Sequence, residues 1–417
     1  MNTLPRPKWG DSQASEHESL KWPSVVLSAI GKFHIWSLAK ELNRRNLLQR
    51  CYTGYPSWKL DFDSATYPRV KTHSFLNTAT LGLGRFTSRL HSSNPLNRFQ
   101  KSLTEYAKLD FGKFVAKDIP ECDVFHGMSQ YSLEAGVSAK RKFGALFVLD
   151  VGSSHVLSMK KILETEQERL GISKEFFSNR VIERELEEYE QADVITVPSK
   201  FAAQTFIENG VSADRIEVNV LGVDLSRFYV DELESPKVFT VTFIGALSAR
   251  KGLHILLEGF RLAAIPRAEL LLIGTAQAET RKLMAGYESE NIRVVGRLPH
   301  SELRSKLSQS SVFALPSIED GFGMVILEAL ASGCPVIATD HTGGPDVIRH
   351  GVDGYIIPSG DSVALAEAMV RLYKDEKLLQ TMRQNAGRRA KEIGSWDNYA
   401  NGVVQMYRRR VVEAREL

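Results

Sequence analysis

The sequence is short of cysteine, of long apolar runs and of net charge. Its three cysteines, Cys51, Cys122 and Cys334, lie far apart and form no CxxC pair. A disulfide framework and a thiolate metal site are therefore excluded, and a reducing compartment is expected. No apolar run reaches the roughly 18 residues of a membrane span, and residues 1–20 lack the apolar core of a signal peptide. A net charge of +3 does not favour nucleic acid as a partner.

What is present is the mix of a globular protein. Of the 417 residues, 43% are hydrophobic and 25% are charged, which excludes a disordered or collagen-like chain. This length predicts two or three domains.

Short runs rich in Val, Ile, Leu and Phe alternate with segments of helical spacing. Such runs do not alternate with polar residues, so they are typical of parallel strands covered on both faces. The pattern predicts an α/β fold of two successive Rossmann-like, doubly wound units. In the first unit the predicted strands are 24–30, 123–127, 145–155 and 193–199. In the second they are 238–245, 268–274, 292–298, 311–317 and 335–340.

A polar, Pro-containing stretch at 227–238 predicts a linker between the two units. We therefore predict four parts: a flexible tail at 1–20, a first domain at 21–225, a second domain at 226–392 and a terminal helix at 393–417. Ligands of such domains bind outside the carboxyl ends of the strands, which here means the cleft between the domains.

The densest motif is SIEDGFGMVILEALASG at 317–333. A strand is followed by a Gly-rich turn and a helix that is predicted to begin near Met324, so backbone N–H groups converge on one spot. The carboxylates of Glu319, Asp320 and Glu328 surround the turn and suit the hydroxyl groups of a sugar and a ribose. A capped helix whose glycines only permit tight packing fits the same residues.

This motif resembles the donor-binding motif of the retaining GT-B glycosyltransferases of family GT4, in which two acids stand eight positions apart around a GFG turn. The segments GVDLSRF (222–228), GALSARKG (245–252) and 332–361 resemble family segments in the same order. The resemblance covers about residues 192–406. It implies two domains that face each other across a cleft, with the terminal helix packed on the first domain.

The resemblance also implies roles for residues of the second domain. Glu328 would hold the ribose of a nucleotide-diphosphate sugar, and the family's other acid falls on Asp320, with Glu319 as the alternative. Because Ala246 stands where the family has Arg, Arg250 would supply that cation beside Lys251. Arg297 would shape the nucleobase pocket or be a surface cation. The backbone that lines the sugar and diphosphate would come from Gly245, Gly321, Phe322, Gly323 and Met324.

In the first domain three candidates follow predicted strands. Gly31, with Lys32 and His34, would approach the donor diphosphate. His126 and His155 would face the cleft and contact donor or acceptor, or else be buried structural side chains. Asp150 is a further polar candidate.

Three other segments have simpler interpretations. The basic and apolar stretch 75–118 predicts one or two surface helices, with an anionic membrane contact as the alternative. The Glu- and Lys-rich stretch 158–192 predicts solvent-facing helices. The DxD at Asp61 and Asp63 is not expected to bind a metal.

Together with these observations, the resemblance implies a retaining, metal-independent glycosyltransferase without a cofactor. Its donor would be a nucleotide-diphosphate sugar, and its acceptor a hydroxyl of a glycan or glycolipid in a surface polysaccharide pathway. A cytoplasmic location, with contact at the inner membrane face, is expected. The alternatives are a sugar-nucleotide epimerase and an inactive sugar-nucleotide-binding module.

Overall fold

The computed structural model describes residues 22–87, 95–172, 177–230, 238–277 and 279–416. Within these ranges two parallel sheets follow one another along the chain. The first has the order β3-β2-β1-β4-β5-β6-β7, with the strands β1 (Val25–Ala29), β2 (Leu48–Thr53), β3 (Val70–Thr72), β4 (Val124–Met128), β5 (Leu146–Asp150), β6 (Val194–Val197) and β7 (Ile216–Val218). The second has the order β10-β9-β8-β11-β12-β13, with β8 (Thr240–Ile244), β9 (Glu269–Ile273), β10 (Ile292–Gly296), β11 (Val312–Leu315), β12 (Val336–Thr339) and β13 (Gly354–Ile357).

Helices connect the strands and cover both sheets. In the first half they are α1 (Ile35–Arg44), α2 (Phe75–Thr87), α3 (Pro95–Asp118), α4 (Leu133–Phe143), α5 (Val156–Leu170), α6 (Asn179–Gln191) and α7 (Lys200–Glu208). In the second half they are α8 (Leu253–Ala263), α9 (Thr280–Met284), α10 (His300–Ser308), α11 (Val325–Ala331), α12 (Gly344–Val347), α13 (Ser362–Lys374), α14 (Glu376–Ile393) and α15 (Trp396–Glu416).

The predicted architecture of two doubly wound sheets is confirmed, and each predicted strand is present. The sequence did not predict β2, β3, β7 and β13, which lie in outer positions of the two sheets. Their apolar runs are short or interrupted, as at Gln49 and Arg50 in β2. The predicted tail and residues 231–237 of the predicted linker lie outside the described residues.

The stretch 158–192 forms helices as predicted, but the expectation that they face solvent is wrong for α6. Glu185 and Glu188 of this helix are buried. Glu188 accepts hydrogen bonds from the backbone N–H groups of Ser132 and Leu133 at 2.8 and 3.2 Å. A buried carboxylate at the start of α4 satisfies N–H groups that the helix leaves without a partner, and a charge count of the sequence does not reveal this.

The chain crosses from the second domain back to the first through α15. His126 in β4 and Tyr407 in α15 are both fully buried, and they share a hydrogen bond of 2.5 Å between Nδ1 and the phenol oxygen. At the far end of α15, Arg409 Nη2 donates to Glu217 Oε1 of β7 at 2.7 Å. The terminal helix is therefore part of the first domain's core.

Loss of the Tyr407 hydroxyl tests this attachment. We expect Tyr407→Phe to lower the free energy of unfolding by about 1–3 kcal/mol, because a buried His126 nitrogen loses its partner. The measurement is urea unfolding followed by circular dichroism. The exposed Tyr373 offers the matched control Tyr373→Phe, and equal stability of the two variants would contradict the assignment.

Candidate active site

Two loops of the second domain meet at the carboxyl edge of its sheet. One follows β8 and leads into α8, and the other follows the neighbouring strand β11 and leads into α11. Gly252 has a φ of 69°, and a Cβ at this position would lie 1.8 Å from the carbonyl oxygen of Pro316. Only glycine permits this contact. The carbonyl of Arg250 accepts the N–H of Ile318 at 2.9 Å, which joins the loops directly.

Two ion pairs link the same loops. Lys251 Nζ pairs with Asp320 Oδ2, and Arg250 Nε donates to Glu319 Oε2 at 2.7 Å. Burial alone raises the pKa of Asp320, but the charges of Lys251 and Arg250 outweigh it and hold the pKa below its usual value. The site therefore contains an ionised Asp320 beside two cations.

The two adjacent acids have different surroundings. Glu319 is fully buried, and its Oε1 accepts hydrogen bonds from the backbone N–H and the hydroxyl of Ser154 at 3.2 and 2.8 Å. Ser154 belongs to the loop after β5, so Glu319 joins the two domains. Asp320 has Lys251 as its side-chain partner and keeps a tenth of its side chain exposed.

The GFG turn is also a contact between the domains. A Cβ on Gly321 would lie 2.2 Å from the carbonyl oxygen of Gly152 in the first domain. Ser199 Oγ of the first domain donates to the carbonyl oxygen of Gly321 at 2.6 Å. The Phe322 side chain is buried, so this residue offers only its backbone to a ligand. Gly323 has a φ of 78°, which turns the chain into α11 at Met324.

Glu328 has a partner that the sequence analysis missed. Its Oε1 lies 3.0 Å from His300 Nε2, and this hydrogen bond raises the pKa of His300 above its usual value against the effect of burial. His300 begins α10, directly after the loop that follows β10. A polar residue after another strand of the same parallel sheet was the available signal. His300 is half exposed, so it can move away from Glu328.

The expectation that His126 and His155 face the cleft is wrong. Besides its bond to Tyr407, His126 lies 3.1 Å from Asp150 Oδ2. His155 is buried against Tyr189 and Phe206, and its Nδ1 accepts the N–H of Leu157 at the start of α5. Burial lowers the pKa of His155 to about 4, so the ring is neutral at pH 7. Both residues are structural.

The other first-domain candidates lie around the loop after β1. His34 Nε2 contacts Asp150 Oδ2 at 2.6 Å. Although burial raises the pKa of Asp150, its two histidine neighbours hold it well below the usual value. Lys32 is half exposed and pairs with Asp61 at 3.3 Å, next to Gly31.

The remaining predicted residues lie at the carboxyl edge of the second sheet. Arg297 is exposed directly after β10, and the nucleobase role stays a prediction. Gly245 follows β8, and a Cβ on Gly274 would lie 1.6 Å from the carbonyl oxygen of Gly245.

The DxD segment lies in the first domain. Its Asp63 accepts the N–H of Thr66 at 2.7 Å.

With this geometry described, comparison with known proteins identifies the second domain. Residues 228–389 match the family model described as glycosyl transferases group 1. The second domain is a group 1 glycosyltransferase domain. The resemblance seen in the sequence is confirmed.

Curated proteins that are similar to this chain carry related names. An amylovoran biosynthesis glycosyltransferase, AmsK of Erwinia amylovora, is 26% identical over 272 residues, 60% of this chain and 66% of AmsK. A putative colanic acid biosynthesis glycosyltransferase, WcaL of Salmonella typhimurium, is 30% identical over 205 residues, 45% of this chain and 50% of WcaL. The chain spans about half to two thirds of the length of these curated relatives.

Solved structures confirm the GT-B fold. Sucrose-phosphate synthase of Thermosynechococcus elongatus is similar over 94% of this chain and 99% of its own, with a TM-score of 0.70 and 20% identity. HepE of Anabaena, in complex with UDP and glucose, is similar over 92% of this chain and 99% of its own, with a TM-score of 0.65 and 18% identity.

Removal of the Glu319 carboxylate tests its role between the domains. We expect Glu319→Ala to lower the free energy of unfolding by about 1–3 kcal/mol, because Arg250 and Ser154 both lose a buried partner. Chemical denaturation measures the change. The control is Glu302→Ala at an exposed position of α10, and a Glu319→Ala variant as stable as this control would refute the role.

Proposed function

We propose that the protein is a retaining glycosyltransferase that moves a sugar from a nucleotide-diphosphate sugar to a hydroxyl of an acceptor. The observation that carries the proposal is the pair of Lys251 and Asp320 at the carboxyl edge of a group 1 domain, against the loop after β5 of the first domain. The cation suits the diphosphate on one side of the donor's scissile bond, and the ionised acid suits a hydroxyl of the sugar on the other side.

The cations would act on the leaving group. Negative charge builds on the diphosphate as the glycosidic bond breaks, and fixed positive groups stabilise that charge. In the proposed complex Lys251 exchanges the Asp320 carboxylate for phosphate oxygens, and Asp320 then accepts a hydroxyl of the donor sugar. Arg250 stays on Glu319 and adds positive charge without leaving the loop. These two cations do the work that a metal ion does in other transferases, so no metal is proposed.

Glu328 would hold the ribose hydroxyls. Its carboxylate pairs with the half-exposed His300, which can turn away when a nucleotide enters. The UDP bound in HepE, a protein of the same fold, supports a UDP-sugar as donor.

The resemblance to retaining enzymes supports retention of the anomeric configuration, and the carboxylates bear on the route by which it is reached. A double displacement needs an enzyme carboxylate that attacks the sugar. Glu319 is buried between Ser154 and Arg250, and in the proposed complex Asp320 accepts a hydroxyl of the donor sugar, so neither is placed as a nucleophile. We therefore propose attack from the face of the leaving group, with the leaving phosphate oxygen taking the acceptor's proton.

The polysaccharide names of AmsK and WcaL support a glycan or glycolipid as the acceptor. We propose that the transfer takes place in the cytoplasm.

Contact with an anionic membrane belongs to the same proposal. Residues 64–104 contain six Lys and Arg and no Asp or Glu. In the described part of this stretch, the side chains of Phe75 and Phe99 are 83% and 59% exposed on α2 and α3. Exposed aromatic groups in a stretch that is rich in Lys and Arg suit the surface of an anionic bilayer. Among the described residues, no helix is long and apolar enough to cross a bilayer.

Substitution of the central pair tests the function. We expect Lys251→Ala and Asp320→Asn each to lower turnover of UDP-glucose, UDP-galactose or UDP-N-acetylglucosamine about 100-fold or more, as loss of one charge-stabilising group does. Release of UDP with acceptor extracts is the assay, and NMR of the first product reports its anomeric configuration. The control is Lys374→Ala, on an exposed face of α13.

Three results would contradict the function. These are full activity of Lys251→Ala, an inverted product, or formation of an epimer of the UDP-sugar without transfer. Loss of activity in EDTA that added Mg²⁺ restores would contradict the proposal that Lys251 and Arg250 replace a metal.

Vesicle sedimentation tests the membrane contact. We expect Phe75→Ser combined with Phe99→Ser to weaken binding to phosphatidylglycerol vesicles about tenfold or more, because each buried Phe contributes roughly 1.5–3 kcal/mol. Val363, exposed on α13, provides the control Val363→Ser. Failure of the unaltered protein to sediment with these vesicles at low salt would exclude the contact.

A further inference from the structure

A cavity of about 220 Å³ lies in the first domain between α3 and α6, away from the ion pairs of the second domain. We call it the α3–α6 cavity. It admits a group the size of one sugar ring, since pockets for drug-sized ligands run from roughly 300 to 1,000 Å³.

The cavity is located at the edge of the sheet where ligands bind. Gln130, which lines it, stands two residues after the end of β4. In parallel sheets the connecting helices run opposite to the strands, so the first turns of α6, with Arg180 and Arg184, lie at the carboxyl edge too. The next strand, β5, ends in the loop that contacts Gly321 of the second domain. The cavity therefore lies on the cleft side of the first domain.

Gln130 has a backbone conformation that requires support. Its φ is +78°, a region that residues other than glycine rarely adopt and that persists at functional sites. Three charged side chains form hydrogen bonds with Gln130. Its N–H donates to Glu188 Oε2 at 2.5 Å and its Nε2 to Glu185 Oε1 at 2.8 Å. Its Oε1 accepts from Lys108 Nζ. This network fixes the amide at the floor of the cavity.

The lining indicates the class of ligand. Three cations and three carboxylates face the cavity, so it has no excess charge of either sign: Lys108, Arg180, Arg184, Glu105, Glu183 and Glu187. An anion would meet these three carboxylates and also Glu185 and Glu188 behind Gln130, and a cation would meet Lys108, Arg180 and Arg184. A hydroxyl group both donates and accepts, so several hydroxyls on one ring can satisfy both kinds of side chain.

We propose that the α3–α6 cavity binds a neutral sugar ring of the acceptor. The role as acceptor site rests on the proposed transferase function. The acceptor is then a saccharide that already carries at least one uncharged sugar beside the reacting hydroxyl, rather than a bare lipid alcohol or an anionic headgroup.

The test uses the full chain and a mixture of the methyl glycosides of glucose, galactose, mannose and N-acetylglucosamine, observed by saturation-transfer NMR. Val181 lines the cavity, and Val181→Phe would fill it. We expect Val181→Phe and Glu187→Ala each to weaken glycoside binding about tenfold. UDP binding, measured by calorimetry, should be unchanged in both variants. Glu187 is exposed on α6, so its removal leaves the core intact, which guards against misfolding as an explanation.

The outcomes separate the two proposals. No binding of any of the four glycosides, or binding that both variants retain, would overturn the site. Stronger binding of methyl glucuronide than of the neutral glycosides would overturn the ligand class. Glycoside binding that both variants weaken, in a protein that transfers no sugar, would retain the sugar site and overturn its acceptor role together with the proposed function.

Discussion

The candidate site depends on two parallel ion pairs between neighbouring loops, Lys251 with Asp320 and Arg250 with Glu319. Buried ions are costly unless each has a partner of opposite charge, so each acid makes the adjacent cation tolerable in a closed crevice. The contact of Gly252 with Pro316 brings the loops close enough for both pairs to form. The charges needed for a diphosphate are thus already in place before a ligand arrives, which reduces the reorganisation that catalysis requires.

The two ion pairs have different roles, one structural and one in ligand binding. Glu319 is saturated by Ser154 and Arg250 and so ties the second domain to the loop after β5. Asp320 has Lys251 as its ion-pair partner and the backbone N–H of Phe322 as a hydrogen-bond donor, and a ligand with phosphate and hydroxyl groups can separate the ion pair. Adjacent acids in one sequence motif therefore differ in role because alternate side chains after a strand point in different directions.

The sequence was sufficient for the two-sheet architecture, for nine of the thirteen described strands and for the segments of the second domain that form the site. Apolar runs and glycine turns report local structure, and the four strands that were missed have short or interrupted runs. It left Asp320 and Glu319 as alternatives, because their difference depends on Ser154, 165 residues away in the chain. It also left His126 and His155 open between the cleft and the core, since a strand end indicates an edge but not the direction of a ring. The burial of Glu188 depends on the start of α4, and no charge pattern in α6 shows it.

The buried polar groups of the first domain have a common physical basis. Asp150 at the end of β5 joins His34 of the loop after β1 to His126 of β4, and His126 continues to Tyr407 of the terminal helix. Each member satisfies the next, so removal of any one leaves a buried polar group without a partner. This series of hydrogen bonds therefore connects the loop after β1, which is nearest the expected diphosphate, with the terminal helix that follows the second domain. The chain passes between the domains near Gly222 and again near Ser395, and these two segments touch, because a Cβ on Gly222 would lie 2.4 Å from the Ser395 carbonyl oxygen. The two covalent connections between the domains therefore lie side by side, next to the helix that completes the first domain's core.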